Sequence, residues 1–168
     1  MGGCLRCRTA SGKLTIYGEG EAQVDNRIKP GMMKYCVIGN IAAEHTDENG
    51  ITRYGTAAFP GGRKVYISRR LWEDGVIVMG LNRFRSRYAM EVVPLAWIEN
   101  IRFSRTFDRR VLNFMAYNLE YADMWWSYKD EDKIGAAEYA QSLNRVKSGD
   151  KEAFEQYSRD AMVRFGFR

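Results

Sequence analysis

Histidine occurs once, and cysteine and proline three times each, in a chain of 168 residues; each scarcity argues against a class of function. Any histidine-based general base would have to be His45, because there is no other imidazole. His45 stands beside Glu44, Asp47 and Glu48, just ahead of Asn49-Gly50, and in that setting it reads as a solvated hairpin end. Three cysteines cannot all pair internally, and Cys4 and Cys7 form a single C-x-x-C near the start. A secreted disulfide framework is therefore not expected, and a reducing, cytoplasmic setting is. No run reaches the roughly 18 to 20 apolar residues that cross a bilayer, and the first residues lack the apolar core of a signal peptide, so no membrane partner is expected.

Catalytic and cofactor signatures are also missing. The chain carries no G-x-S-x-G elbow, no H-E-x-x-H helix, no G-x-x-x-x-G-K-[ST] loop and no calcium-loop spacing. Paired carboxylates leave no such signature, so a small enzyme with unrecognised carboxylate chemistry stays as a third reading. Cys4, Cys7, Cys36 and His45 could make a tetrahedral zinc set by residue type. Cys36 lies in an apolar run, however, where a free thiol behaves as a small hydrophobe, so no metal or cofactor is expected. A lipid anchor at Gly2 would call for a small hydroxyl residue at position 6, which is Arg6.

What is present is a globular composition with an uneven charge. Apolar residues make up 45% of the chain, enough for one real core. From Ile51 to Arg110 there are twelve Lys or Arg against five Asp or Glu, whereas Val111 to Arg168 holds eight against ten. A basic middle precedes a mildly acidic tail, and the middle is mostly arginine, whose planar fork suits carboxylate and phosphate.

Residues 1–30 are polar and glycine-rich, with one short alternating run at Lys13 to Tyr17, and read as a weakly ordered extension. Pro30-Gly31 then leads into an apolar run, Tyr35 to Ile41, and Pro60-Gly61 leads similarly into Arg63 to Ser68. Between them, Asn49-Gly50 predicts a tight type I′ hairpin. Gly75 to Leu81 and Tyr88 to Val93 predict two more strands around a polar tip, Leu95 to Trp97 a short turn, and Ile98 to Phe103 a last strand. Short strands at this density predict a curled antiparallel sheet that closes on itself to hide its edges. The segments GTAAFPGGRKVYI, VIVMGLNRFRSRYAMEVV and PLAWIENIRF together resemble an SH3-like small barrel. The resemblance implies a fold and no activity.

Period changes at Asp108, a candidate N-cap, and the pattern predicts a helix to about Tyr128. On it Val111, Met115, Leu119, Ala122 and Trp126 share one face, while Phe114, Tyr117, Tyr121, Trp125 and Tyr128 make an aromatic stripe. Two further helices follow: Ile134, Ala137, Ala140 and Leu143 mark the inner face of one, and Phe154, Tyr157, Ala161 and Phe165 recur along the other. The expected fold is α+β: an extension over 1–30, an SH3-like antiparallel barrel over 31–106, and a three-helix C-terminal extension over 107–168.

The segment with most binding potential is the tip Asn82 to Tyr88, where Arg83, Arg85 and Arg87 interleave with Phe84 and Tyr88. Arg69, Arg70 and Trp72 extend this surface if strand order allows, as Arg102 and Arg105 could. The leading expectation is a non-catalytic protein-binding module of inhibitor, immunity or adaptor type, meeting an acidic or anionic partner through these residues. Its second surface would be the aromatic stripe, if nothing in the chain covers it. The alternative is nucleic-acid binding at the tip, with cations for phosphates and rings for bases.

Overall fold

The computed structural model describes residues 4–8, 14–18, 33–72, 75–105, 107–117, 122, 124–127, 129–149, 152, 155, 156 and 159. Among the described residues nine strands form in chain order: β1 (Cys4–Arg8), β2 (Leu14–Gly18), β3 (Cys36–Ile41), β4 (His45–Thr46), β5 (Thr52–Arg53), β6 (Lys64–Trp72), β7 (Gly75–Leu81), β8 (Tyr88–Val93) and β9 (Ile98–Ser104). A 3-10 turn, Leu95–Trp97, separates β8 from β9. Helix α1 spans Arg109–Tyr117 and α2 spans Lys133–Lys147, preceded by a 3-10 turn at Asp130–Asp132.

The main sheet is antiparallel, in the order β1-β2-β8-β7-β6-β3-β9. Its five central strands, β8 through β9, are those predicted from short apolar runs between turn residues, and β3, β7 and β8 are buried along most of their length, as continuous apolar runs should be. Residues at the N-terminus, expected outside the fold, supply two more strands: β2 pairs β8 through Thr15↔Glu91, Ile16↔Met90 and Tyr17↔Ala89, and β1 pairs β2. The open N–H and C=O row along β8 gives such a strand its partner groups. Among the described residues no ladder joins β1 to β9, so the sheet is open where a closed barrel was expected. The outer edge of β8 is taken by β2, while α2 packs along β9, with Asn144 Nδ2 donating to the Ile101 carbonyl and Lys147 Nζ to that of Ile98.

The β4–β5 hairpin forms around Asn49-Gly50, but not with the predicted two-residue turn. Asp47 accepts the amides of Asn49 and Ile51 on its carboxylate, each at 2.9 Å, and its own N–H bonds the Ile51 carbonyl. Only Gly50 takes positive φ, at 78°, so a longer loop replaces type I′.

The helical region also departs from its expected form. Asp108 caps α1 as predicted, its Oδ1 accepting the Arg110 amide at 2.7 Å. The described part of α1 runs to Tyr117, and Ala122 and Met124 lie in 3-10 conformation ahead of a bend at Trp125, so a single helix does not reach Tyr128. Val111, Met115, Ala122 and Trp126 are all buried, as the apolar face requires, and Leu119 lies outside the described residues. In α2 the buried face is Ala136, Tyr139, Ala140 and Leu143: Ala140 and Leu143 are buried as predicted, whereas Ala137 is half-buried and Ile134 exposed. Tyr139 turns the helix this way, because its ring packs on Trp126 at 5.4 Å and its hydroxyl donates to the Ser68 carbonyl at 3.0 Å. Of the expected third helix, residues 152, 155, 156 and 159 are helical. Phe154, Tyr157, Ala161 and Phe165, which were to mark its face, lie outside the described residues. Among the described residues no helix is long and apolar enough to cross a membrane.

Candidate anion-binding site

A cleft of about 440 Å³ opens between the loop before β6, the β7–β8 tip and the start of α1. Pro60, Gly61 and Gly62 form one wall, and Tyr66, Leu81 and Tyr88 supply apolar surface and two phenols. Arg63, Lys64, Arg85 and Arg110 bring four cations to it, and Asp108 is the one carboxylate among its lining residues. The charges are poorly compensated within the described residues. Arg63 Nε is buried and makes no hydrogen bond there. Burial, and then the charge of Arg85, push the Arg63 guanidinium below its usual range. Two arginines facing one another across a cleft are a site for an anion.

Asp108 compensates only Arg110 among them, its Oδ2 lying 3.4 Å from the Arg110 guanidinium. Burial alone would raise its carboxyl. The Arg110 amide and guanidinium, together with the charges of Arg110 and Lys64, hold it below its usual value of 3.8. Such a group stabilises the folded chain above the ordinary carboxylate range and loses that contribution as pH falls through its folded value. Asp108→Asn, which keeps a capping side chain, is therefore expected to melt below the wild type at neutral pH, with the two converging as pH falls below the ordinary carboxylate range. Thermal scans across pH check this, and a gap that stays constant through the acid range would show that the carboxylate charge contributes nothing.

Both tyrosines are neutral donors. Burial first, then the charge of Asp108 among smaller causes, raises Tyr88, whereas burial pushes Tyr66 up to about 12. Tyr66 OH accepts the Asp108 amide at 3.2 Å, which ties β6 to the start of α1 and leaves the phenol proton for the cleft.

A buried polar network holds the two loops of the cleft together. Glu91 of β8, only 7% exposed, accepts the Thr56 hydroxyl at 2.7 Å and the Ala58 amide at 3.2 Å. Arg83 donates from the tip to the Thr56 carbonyl. Within the tip, Asn82 accepts the Ser86 amide and donates to the Ser86 hydroxyl. Arg85 adopts φ of 56°, an uncommon conformation for a residue with a β-carbon. Phe84 next to it is 87% exposed.

The predicted site residues divide accordingly. Arg83, Phe84, Arg85 and Arg87 are exposed on the tip, and Arg85 reaches the cleft. Tyr88 is buried against Phe114, with centroids 6.0 Å apart, so it belongs to the core and shows only its edge to the cleft. Arg69, Arg70 and Trp72 do not join the tip: β6 runs so that Leu71 pairs Val76, at the end of β7 away from Leu81. Arg69 instead lies over the Trp126 ring at 5.8 Å, and both arginines are half-buried. Trp72 has its backbone in β6, and its side chain lies outside the described residues. Arg102, on β9, donates to Asn40 and Asn100.

The aromatic stripe is not an interface where it can be followed. Phe114 and Trp125 are buried, because β8, α1 and the bend at Trp125 pack together as one core. The Tyr117 side chain, Tyr121 and Tyr128 lie outside the described residues. His45, expected in solvent, is buried: its ring stacks on Trp97 at 3.8 Å and Nε2 lies 2.7 Å from the Gly55 carbonyl. Cys36 is likewise buried, which pushes its thiol up to about 12. No group of three or more metal-ligating side chains occurs among the described residues.

Lys64, Tyr66, Asp108 and Arg110 carry no motif and are not marked as site residues by sequence. The usable signal is positional, since Arg63-Lys64 follows the Pro60-Gly61-Gly62 turn and Arg110 follows the Asp108 cap.

The fold and cleft thus define an α+β chain with a basic cleft at one end of an open antiparallel sheet. Comparison with protein-family models, with curated proteins and with solved structures finds no match to it.

Proposed function

We propose that this chain is a non-catalytic binding module whose tip and cleft take a single strand of nucleic acid. The observation carrying this reading is the juxtaposition of an 87% exposed Phe84 with Arg83, Arg85 and Arg87, on a tip that shares Arg85 with the cleft. Arginines neutralise backbone phosphates, and an exposed ring stacks a base, at about 1–3 kcal/mol per base. Binding rather than catalysis is favoured because Asp108 is committed to Arg110, and His45 is packed on Trp97 outside the lining of the cleft. We further read the five central strands as an SH3-like arrangement left open. The 3-10 turn between β8 and β9, and the position of β9 beside β3, support it.

Fluorescence anisotropy with a labelled single-stranded oligonucleotide tests the function. If about four arginines contact phosphates, affinity is expected to fall about 50-fold between about 50 and 200 mM salt. Phe84→Ala should weaken binding about tenfold, and charge reversal at Arg83, Arg85 and Arg87 together should remove it. No binding at low salt would sink the reading.

A second reading, an acidic protein partner, is favoured by one observation. Tyr54 and Ile51 are 69% and 53% exposed on the β4–β5 hairpin side, and Tyr54 lies two residues before the Thr56 carbonyl that receives Arg83. Capture of a partner from native lysate that survives nuclease treatment, and is lost in Tyr54→Ala, would support it.

A further inference from the structure

We infer that the cleft is a phosphomonoester pocket that receives the terminal phosphate of the bound strand, a specificity that rests on the nucleic-acid reading. The argument begins with charge. Arg63, Lys64, Arg85 and Arg110, set against Asp108, leave three positive charges around one concavity. An internal phosphodiester brings one negative charge and two free oxygens to such a site. A terminal phosphomonoester brings about −1.5 to −2 and three acceptor oxygens. The terminal group therefore matches the cleft more closely, both in charge and in the number of donors it can satisfy.

The donors are present and in place before any ligand arrives. Arg63 Nε is buried without a hydrogen bond among the described residues, a cost that an oxyanion would relieve. Arg85 is held in the left-handed region beside it, and strain of this kind persists where surrounding structure enforces it. Tyr66 and Tyr88 are phenols, protonated at neutral pH in any case, and burial raises both further, so their hydroxyls can donate to phosphate oxygens. A volume of about 440 Å³ is more than a phosphate alone needs and leaves room for the sugar attached to it. From there the strand leads past Arg85 onto Phe84, since Arg85 belongs to both cleft and tip. The pocket reads the end of the strand while the tip holds its first bases.

The test uses the full chain and one short single-stranded oligonucleotide in three forms: 5′-phosphorylated, 3′-phosphorylated and unphosphorylated, with the label at the end not phosphorylated. One phosphorylated form is expected to bind about tenfold more tightly than the unphosphorylated one at the same salt, as loss of a charge-assisted contact implies. Arg63→Gln and Tyr88→Phe, each first shown to melt cooperatively, should erase that advantage, so that each variant binds the phosphorylated and unphosphorylated forms equally. Phe84→Ala should weaken all three forms alike. Equal binding of the three forms to the wild type would overturn the pocket while leaving the nucleic-acid reading intact, and so would an end preference that both variants retain. Failure of every form to bind would remove both. A phosphoserine peptide binding as tightly as the phosphorylated strand would show that the pocket serves a protein ligand and overturn the assignment to a strand end.

Discussion

Trp126→Ala is expected to cost about 3–5 kcal/mol of folding stability, the usual cost of truncating a fully buried large aromatic. Trp126 is 0% exposed, and three parts of the chain meet on it. The Tyr139 ring of α2 packs against it, and Arg69 of β6 lies over its face. Its neighbour Met124 accepts the Ser68 hydroxyl of β6 at 3.0 Å, while the Ser68 carbonyl accepts Tyr139 at the same distance. The segment from Met124 to Trp126 is thus a seam between sheet and helix within the one core. Since small domains hold only about 5–15 kcal/mol in total, the loss should be visible as a large fall in the urea midpoint. Trp125→Phe provides the contrast. Trp125 is equally buried, but its indole N–H makes no hydrogen bond among the described residues, so that exchange removes a buried unsatisfied donor and should cost no more than about 1–2 kcal/mol. Equal midpoints for Trp126→Ala and the wild type would show that the seam is not part of the folded core.

Gly55→Ala should cost about 2–3 kcal/mol and weaken anion binding with it. Gly55 has φ of 64°, and a β-carbon there would lie 2.6 Å from the Phe59 carbonyl and 2.9 Å from the Gly61 amide. Both neighbours are backbone, so the loop itself must move. That loop is what Glu91 holds through Thr56 and Ala58, and it runs on into Gly61, Gly62 and Arg63 at the cleft. Gly50→Ala isolates the conformational part of this cost: Gly50 also has positive φ, at 78°, but a β-carbon on it would meet nothing within 4 Å. Its cost should be only about 1 kcal/mol, with anion binding unchanged. If the two substitutions destabilise equally, steric contact at Gly55 is not what shapes the loop. Denaturant curves give the stabilities, and oligonucleotide titration gives the binding.

Several elements were legible from residues alone because their signals are local. Val76, Val78 and Tyr88 through Val93 announce strands by apolar content between turn residues, and the short turn at Leu95–Trp97 follows from Pro94. Asp108 announces the start of α1 because a capping carboxylate needs only the next two residues. The end of α1 could not be read in this way. The apolar spacing from Val111 to Trp126 is consistent with one continuous helix, yet Ala122 and Met124 take 3-10 conformation and Trp125 a bend, and all three are still buried with Trp126. A periodicity of buried positions records which residues face the core, and more than one backbone path can deliver them there.

The candidate site divides along the same line. The arginines and Phe84 of the tip are contiguous, so their pattern is visible in seven residues of sequence. The cleft joins residues 60–66, 81–88 and 108–110, which meet because β6, β7 and β8 lie side by side and α1 starts against Tyr66. The same pairing carries Arg69 and Arg70 to the far end of the sheet and buries Tyr88 and His45, reversing expectations drawn from their neighbours in the chain.

The sequence by itself determined the antiparallel strands, the turn to helix after Asp108 and the basic charge of the middle, because each depends on residue type and spacing over a few positions. Only the tertiary structure decided that the sheet stays open, that the aromatic residues Phe114 and Trp125 form core, and that Arg63, Arg85 and Arg110 converge on one cleft. Those outcomes depend on which distant strands exchange hydrogen bonds, and local spacing carries no information about that.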